Sequence, residues 1–370
     1  MKKLILILLM VIFSITSVFA KIKIGALLAI SGPASHIGKP AEIIIKTLTE
    51  NFNKKNNLNE QIELVIYDTK SQPKIAIQFA KKLINKDKVD VIIGPNTTGS
   101  ALAIIPFVQK AKIPTMTLVG GTSVVEPVKK YVFKSPQKTS TAIKKIKEYL
   151  LKHNITRIGV IADSGGFGQD GIKSLKKNAN GLEIIGIEKF HKSDANMTSQ
   201  LAKLLKKKPQ AILAWTVGSA GAKIAKNLRQ LDKEVLLIQS HGLADYYYIK
   251  LAGNFAENSI LPATKFIVAS QLPDSDPQKK ILIDFNNQFG KLIENSSVHS
   301  VYAYDGFNLI IEAFKKSKEK NIPLVDALES IKNYVGVTGV YNLSNKDHCG
   351  LDESSMVIIK VKDGKFILIV

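Results

Sequence analysis

The chain has 370 residues, of which 45% are hydrophobic and 22% charged, so the composition is that of a globular protein long enough for two domains. The formal net charge is +21, but only two of the 52 basic residues, Arg157 and Arg229, are arginines. Base recognition and bidentate phosphate binding depend on arginine, and the lysines are spread along predicted helix faces. The composition therefore indicates a solvated basic surface and predicts no nucleic-acid partner. The single cysteine, Cys349, excludes an internal disulfide framework and a zinc site built from several cysteines.

The first twenty residues have the pattern of a secretory signal peptide. Lys2 and Lys3 precede an apolar run at 4–13, and small residues precede a cleavage point after Ala20. A membrane anchor is the alternative, but an apolar core of about ten residues is shorter than the roughly 20 that a spanning helix needs. No cysteine follows Ala20 to carry a lipid. We therefore expect cleavage near Ala20 and a soluble exported protein.

From residue 21 the sequence alternates between strand and helix patterns. Apolar residues in 40–53 recur at helical spacing, whereas 89–93 is a short continuous apolar run typical of a buried parallel strand. Strands separated by helices of about 10–15 residues form βαβ units, and two such runs predict an α/β protein with two doubly wound parallel-sheet lobes. In chain order the predicted elements are strand 21–30, helix 40–53, strand 62–67, helix 73–86, strand 89–93, helix 100–110 and strand 113–119, then helix 139–152, strand 157–162, helix 169–179, strand 183–188, helix 197–207, strand 211–216, helix 220–231 and strand 235–239.

The alternation ends near residue 258. A stretch with three prolines at 262–277 is followed by two predicted long helices, at 278–294 and 299–317. Near the C-terminus, an Asp-Gly pair at 363–364 separates two apolar runs. This pair is typical of a two-residue turn, so the sequence predicts a C-terminal β-hairpin.

A glycine motif formally matches a dinucleotide-binding fingerprint. Gly166, Gly168 and Gly171 follow the predicted strand 157–162 and open a helix. A phosphate-binding turn belongs in the first βα unit of its domain, however, and an exported protein rarely meets a nicotinamide pool. The favoured interpretation is a glycine-rich cleft loop that carries Phe167, and no cofactor is predicted.

The sequence offers no catalytic or metal-binding constellation. The histidines form no i, i+4 pair and no HExxH motif, so a metal site would need ligands from distant segments. No GxSxG elbow is present, and the sequence neighbours Ser240 and His241 do not by themselves form a nucleophile–base pair. The sequence therefore predicts neither a metal site nor an enzyme. The six histidines are His36, His153, His191, His241, His299 and His348.

Two loops at strand–helix junctions have the composition of an anion-binding site. Residues 94–100 and 120–123 each follow a predicted strand and are rich in glycine and hydroxyl side chains. Helix N-termini carry free backbone N–H groups and a positive dipole end, so two adjacent loops can hold a carboxylate without a basic side chain. The alternative is that Thr and Ser only cap their helices. The position at the carboxyl ends of consecutive strands favours a ligand site.

At this point the sequence resembles the periplasmic solute-binding proteins of the leucine/isoleucine/valine-binding type, which serve ABC importers. The resemblance covers nearly the whole chain after residue 20. The residues that carry it, in order, are Ile24-Gly25, Ser31-Gly32-Pro33, Gly38, Tyr67-Asp68, Pro73, Ile93-Gly94-Pro95, Ala111-Lys112-Ile113-Pro114, Phe167-Gly168, Leu228-Arg229-Gln230, Ser240-His241-Gly242, Leu251-Ala252-Gly253, Ala303-Tyr304-Asp305, Gly336, Thr338-Gly339-Val340 and Asp347-His348-Cys349-Gly350-Leu351.

The resemblance implies a two-lobed clamp whose chain crosses between the lobes three times. The first lobe is expected to comprise 21–138 plus 265–340, and the second 139–264 plus 341–370. The implied function is capture of a small-molecule carboxylate for the membrane permease subunits of an ABC importer. A ligand-sensing protein on the same fold, which reports to a receptor instead, is the alternative. We expect a monomer that binds no nucleic acid.

The resemblance also implies which residues contact the ligand. A carboxylate-binding hydroxyl falls on Thr98 beside Asn96, and a loop residue that closes over the ligand falls on Ile37. The loop after Ala214-Trp215-Thr216 is also expected to face the cleft. The complete predicted set is Ile37, Asn96, Thr98, Gly120, Gly121, Thr122, Phe167 and His241.

Three of these positions depart from the pattern of the family. Ile37 stands where the leucine-binding type has Trp, and Phe167 stands where Tyr is usual. His241 occupies the position of the acidic residue that normally receives the ligand's ammonium group. The sequence therefore predicts either a branched-chain amino acid or a related hydrophobic or aromatic carboxylate as ligand.

Overall fold

The computed structural model describes residues 21–56, 60–293 and 298–369. The predicted signal peptide, residues 1–20, lies outside the described residues. Two separate β-sheets with helices packed against them form two lobes. The predicted α/β class with two parallel-sheet lobes is confirmed.

The sheet of the first lobe has five parallel strands in the order β2-β1-β3-β4-β5. The apolar runs predicted as buried strands are buried on both faces: all three residues of Val91–Ile93 are inaccessible to solvent. The strands are β1 (Ile22–Leu28), β2 (Ile62–Asp68), β3 (Val91–Ile93), β4 (Thr115–Thr117) and β5 (Val132–Lys134). The connecting helices are α1 (Ser35–Lys55), α2 (Pro73–Lys82), which continues as a π-helical turn at Leu83–Asp87, and α3 (Thr98–Ala111).

The sheet of the second lobe has seven strands in the order β14-β13-β10-β9-β8-β6-β7. Its first five strands in the chain pair in parallel, and β13 and β14 add an antiparallel hairpin at one edge. The strands are β6 (Arg157–Asp163), β7 (Glu183–Phe190), β8 (Ala211–Trp215), β9 (Leu236–Gln239), β10 (Ile260–Thr264), β13 (Met356–Lys362) and β14 (Lys365–Leu368). The helices are α4 (Thr139–Lys152), α5 (Gly166–Asn178), α6 (Thr198–Leu205), α7 (Ser219–Leu231) and α8 (Tyr246–Ala252).

The chain passes between the two sheets three times, after β5, after β10 and before β13. Between the second and third crossings lie α9 (Lys279–Phe289), α10 (Val298–Lys320), α11 (Leu324–Glu329) and the two-stranded sheet of β11 (Tyr334–Val335) and β12 (Val340–Tyr341). Helix α10 packs against α1 of the first lobe, and α11 packs against α10. The lobe limits expected near residues 138, 264 and 340 fall between β5 and α4, at the end of β10 and in β12, and they stay a prediction.

The C-terminal hairpin forms as predicted. Asp363 and Gly364 both have positive φ, 51° and 68°, which is the backbone geometry of a type I′ turn. Within residues 21–56, 60–293 and 298–369, no helix is long and apolar enough to span a membrane.

Helix α1 begins earlier than the sequence pattern predicts. It starts at Ser35 rather than at residue 40, so Ile37 lies in the first helical turn and not in a loop. Pro40 lies inside the helix, where it cannot donate a backbone hydrogen bond to the carbonyl of His36. Proline is typical of a first turn, so its position made the helix appear to start five residues later.

Candidate functional site

A cavity of about 340 Å³ lies between the two lobes. Loops that follow β1, β3 and β4 bound it on the side of the first lobe, and loops that follow β6, β8 and β9 bound it on the side of the second. These loops all lie at the carboxyl ends of parallel strands, where open α/β sheets bind ligands. The volume is at the lower end of the range of about 300–1,000 Å³ for small-molecule sites, so the cavity suits a small ligand.

The cavity brings together most of the residues predicted from the sequence. The loop at 217–220, which follows Trp215 and Thr216, also lines the cavity, as expected. Gly121 and Thr122 are not among the lining residues. A contact with ligand stays a prediction for every residue of the set. The predicted residues that line the cavity are Ile37, Asn96, Thr98, Gly120, Phe167 and His241.

The first loop, residues 94–100, presents the N-terminus of α3 to the cavity. Thr98 is the first residue of this 14-residue helix, and Gly99 lies against Gly166 at the start of α5 in the opposite lobe. A Cβ atom on Gly166 would lie 2.9 Å from the backbone nitrogen of Gly99, so glycine is required for this approach. Two helix N-termini therefore meet at the cavity, and their dipoles favour a negative charge there.

Asn96 adds an oriented amide to the first loop. Its Oδ1 accepts a hydrogen bond of 3.0 Å from the backbone N–H of Ala29. This bond fixes the direction of the amide and makes Nδ2 the donor atom on the other side. Nδ2 is buried and has no hydrogen-bond partner among the described residues. A buried donor without a partner is costly, so this atom is suited to an acceptor on a ligand.

In the second loop, residues 120–123, two groups of Thr122 already have partners within the protein. The backbone N–H of Thr122 donates to Asp170, and Oγ1 of Thr122 accepts from the backbone N–H of Ser140. Gly121 packs against the methyl group of Thr98. Within this loop, then, Gly120 lies at the cavity, and the backbone N–H of Thr122 is taken by Asp170. That Gly121 and Thr122 contact the ligand's carboxylate stays a prediction.

An aromatic group forms the wall of the second lobe. His241, which is 3% exposed, lies 5.5 Å from Phe167 and 5.6 Å from Trp215 between ring centroids. A Cβ atom on Gly120 would lie 2.4 Å from Nε2 of His241, so the imidazole fits against the first lobe only because residue 120 is glycine. Burial, together with the charge of Lys134, lowers the pKa of His241 to about 3. The imidazole is therefore neutral at physiological pH.

The cavity also contains residues that sequence reasoning did not select. His36 stacks on Tyr247 of the second lobe at 5.1 Å and lies 6.3 Å from His299, both measured between ring centroids. Burial and the nearby Lys192 lower the pKa of His36 to about 4, and burial lowers that of His299 to about 3. These histidines are far apart in the sequence and follow no motif, so only the fold reveals that they converge with His241.

The charge of the lining is positive. Among the described residues that line the cavity there is no Asp or Glu, whereas Lys192 is present. Asp245, an acidic residue four positions after His241, caps α8 by accepting from the backbone N–H of Tyr247 and is not part of the lining. The cavity thus offers neutral donors and one cation to an anionic ligand, and no carboxylate to a cationic group.

The glycine motif serves close packing. A Cβ atom on Gly168 would lie 1.8 Å from the carbonyl oxygen of Asp163, and one on Gly171 would lie 2.2 Å from the ring of Trp215. These contacts press α5 onto β6 and β8. The segment 165–167 lines the cavity, which agrees with the interpretation as a glycine-rich cleft loop carrying Phe167.

Comparison with known proteins agrees with this architecture. A sequence model of the periplasmic binding protein family matches residues 21–365. The chain belongs to that family. It is 23% identical to a Leu/Ile/Val-binding protein, BraC3, from Rhizobium johnstonii over 269 residues, which is 69% of this chain and 70% of the relative. The resemblance to the leucine/isoleucine/valine-binding type is thereby confirmed, and membership implies an exported ligand-binding protein.

Solved structures give the same result for the fold. An extracellular ligand-binding receptor from Rhodopseudomonas palustris HaA2 superimposes with a TM-score of 0.85 at 29% identity, covering 95% of this chain and all of that chain. A solute-binding protein of an ABC transporter from Rhodopseudomonas palustris BisB5, in complex with 3,4-dihydroxybenzoic acid, superimposes with a TM-score of 0.76 at 21% identity. That match covers 94% of this chain and 96% of the other.

Proposed function

We propose that this protein is the substrate-binding component of an ABC importer and captures a hydrophobic carboxylate that lacks an α-ammonium group. A branched-chain or aromatic acid is the class of ligand that the cavity suits best. The observation that carries the proposal is the lining, which combines the helix N-termini at Thr98 and Gly166 with neutral His241 and contains no Asp or Glu among the described residues.

The electrostatics of the cavity favour a carboxylate without an ammonium group. An amino acid brings a positive charge into the cavity, and burial of an unpaired ammonium group is costly. Neutral His241 can accept one hydrogen bond but supplies no negative charge, and Phe167 lacks the phenolic oxygen that Tyr would place there. A plain carboxylate brings no positive charge and can accept hydrogen bonds from the donors at Asn96 and Thr98.

The expected affinity is compatible with transport. Hydrogen bonds to a charged group contribute about 1.5–3 kcal/mol each. Three such bonds from the Thr98 hydroxyl, the Asn96 amide and a backbone N–H, with burial of the apolar part of the ligand, suffice for a Kd of about 1 μM. The ligand-induced closure of two lobes then creates the surface that a permease recognises.

The relatives support both candidate ligand classes. The Leu/Ile/Val-binding relative has an amino-acid ligand by its name, and the Rhodopseudomonas palustris BisB5 protein holds an aromatic acid in the same fold. The fold therefore accepts either class, and the choice rests on this chain's own cavity. Export through a signal peptide cleaved near Ala20 and action as a monomer are part of the same proposal.

The test compares leucine with its deaminated analogue. Isothermal titration calorimetry is carried out with leucine, 4-methylpentanoate and benzoate on the wild type, on His241→Glu and on the exposed control His153→Glu. We expect the wild type to bind at least one of the two acids about tenfold or more tightly than leucine. We expect His241→Glu to shift the preference toward leucine and His153→Glu to leave it unchanged. A wild type that prefers leucine by tenfold over both acids overturns the proposed specificity.

A further inference from the structure

The second loop, residues 120–123, binds the carboxylate of a residue of the protein itself, Asp170. The backbone N–H of Thr122 donates to Oδ2 of Asp170, and the backbone N–H of Ser123 donates to Oδ1, both at 2.8 Å. Asp170 is only 4% exposed, so these two bonds are shielded from water. A carboxylate that accepts two parallel hydrogen bonds from successive N–H groups is held in one orientation.

The two partners belong to different lobes. Asp170 lies in α5, on the sheet of the second lobe, whereas Thr122 and Ser123 follow β4 of the first lobe. The pair therefore bridges the cleft next to the cavity. Separation of the lobes breaks both bonds at once and leaves an aspartate and two N–H groups to be solvated by water.

The ammonium group of Lys134 is buried beside the second loop and binds its backbone. Nζ of Lys134 donates to the carbonyl oxygens of Gly120, at 2.7 Å, and Gly121, at 3.3 Å. Lys134 is fully buried and attracts the Asp170 carboxylate, which also interacts electrostatically with His241. When the lobes close, the carboxylate approaches both the two N–H groups and this cation.

We propose that Asp170 is a closure residue, which holds the two lobes together over the ligand without touching the ligand. The first loop then binds the carboxylate of the ligand, and the second binds the carboxylate of Asp170. Because Asp170 acts after the ligand has entered, its main effect is on the rate of ligand release rather than on the rate of association. The choice of ligand for the test rests on the proposed function.

The direct test measures rates in Asp170→Asn. Stopped-flow fluorescence with 4-methylpentanoate or benzoate gives the association and dissociation rate constants for the wild type, for Asp170→Asn and for the control Asp284→Asn, which changes an exposed aspartate on α9. We expect the dissociation rate constant of Asp170→Asn to rise by about tenfold or more, and its association rate constant to change less than about threefold. An unchanged dissociation rate constant, or an equal effect in Asp284→Asn, overturns the proposal.

A second measurement uses the wild type and so does not depend on how the variant folds. Amide hydrogen exchange of Thr122 and Ser123 is followed by NMR with and without saturating ligand. We expect both amides to exchange about tenfold or more slowly in the closed, ligand-bound form. Equal exchange rates in the two forms overturn the proposal.

Failure of the proposed function can be distinguished from failure of the closure role of Asp170. If neither acid binds the wild type, the proposed function fails, and the ligand-free proteins still test the role of Asp170. In that case Thr122 and Ser123 must exchange faster in Asp170→Asn than in the wild type, while amides in β6 exchange at the same rate in both. Equal exchange of Thr122 and Ser123 in the two proteins overturns the closure role.

Discussion

Two loops at the edge of the first sheet have similar chemistry but different partners. Residues 94–100 follow β3 and residues 120–123 follow the adjacent strand β4, and both are built from glycine and hydroxyl residues. The first lines the cavity with Asn96 and Thr98, whereas the second donates two N–H groups to Asp170. A loop of this composition predicts a backbone that binds an anion. Which anion it binds depends on the element that packs opposite.

The elements that follow the two loops also differ. The first loop leads into α3, a helix of 14 residues whose dipole points at the cavity. The second leads into a 3₁₀ turn of three residues, Thr122–Val124, which has no comparable dipole. The first loop is therefore the stronger site for a free ligand, and the second depends on a partner that the fold holds in place.

The largest expected difference between the two loops is that between the variants Thr98→Val and Thr122→Val. Thr98→Val removes a hydroxyl at the cavity while keeping volume and β-branching, so we expect ligand affinity to fall by about tenfold with little change in stability. Thr122→Val removes the acceptor of the Ser140 N–H, so we expect stability to fall by about 1 kcal/mol and affinity to change less than about threefold. Calorimetry and urea unfolding measure the two quantities. Equal losses of affinity in the two variants would contradict the comparison.

The buried charge of Lys134 beside the second loop predicts that ligand affinity depends on pH. Burial, opposed by attraction to Cys349 and Asp170, lowers the pKa of Lys134 to about 8. As Lys134 loses its charge above pH 8, we expect affinity for a carboxylate to fall, by about fivefold between pH 7 and pH 9.5. Calorimetry across this range is the measurement, and a Lys134→Met variant should show a flat profile.

Deprotonation of Lys134 has the opposite effect on the stability of the folded protein. The folded state loses the Lys134 proton near pH 8 and the unfolded state near pH 10.5, so between these values the unfolded state binds more protons. This group therefore raises the free energy of unfolding with pH, by up to about 1.4 kcal/mol per pH unit. Burial raises the pKa of Cys349, so this thiol lowers the free energy of unfolding as the pH rises above 9.

The affinity measurement has an outcome that contradicts its prediction. If the ligand affinity of the wild type does not change between pH 7 and pH 9.5, the charge of Lys134 has no effect on ligand binding.

The smallest expected effect concerns another contact between the lobes. Tyr247 of the second lobe stacks on His36 of the first, whereas its neighbour Tyr246 contacts Phe366 within the second lobe. Both tyrosines are 38% exposed. We expect Tyr247→Leu to weaken ligand binding about threefold and Tyr246→Leu to leave it unchanged, because only the first contact depends on closure. Calorimetry on the two variants decides this, and equal affinities would show that the stack contributes nothing to closure.

Much of the fold was predictable because it depends on local signals. The continuous apolar runs marked the strands buried on both faces, the Asp-Gly pair at 363–364 marked the hairpin, and helical spacing marked most helices. The start of α1 was missed because Pro40 lies inside the helix. The family resemblance likewise implied a loop position for Ile37, which lies in the first turn of α1.

The candidate site shows the same difference between residues marked by local sequence signals and residues placed by tertiary packing. The loops that carry Asn96, Thr98 and Phe167 lie at strand–helix junctions, which sequence patterns locate well, and the family resemblance implied these three residues, all of which line the cavity. His299 and Lys192 lie far from those junctions in the sequence and reach the cavity only through the packing of α10 and the loop after β7. No local pattern records such a convergence.

The sequence by itself determined the strands, most of the helices and two loops with the composition of an anion-binding site, because hydrophobic periodicity and glycine-rich turns act over a few residues. Only the tertiary structure decided how those loops are used. The packing of α5 against the first lobe places Asp170 on the N–H groups of Thr122 and Ser123, and it leaves Thr98 at the cavity. The hydrogen-bonding capacity of a loop is a local property, but the partner that satisfies it comes from a residue 47 positions away in the chain, across the cleft.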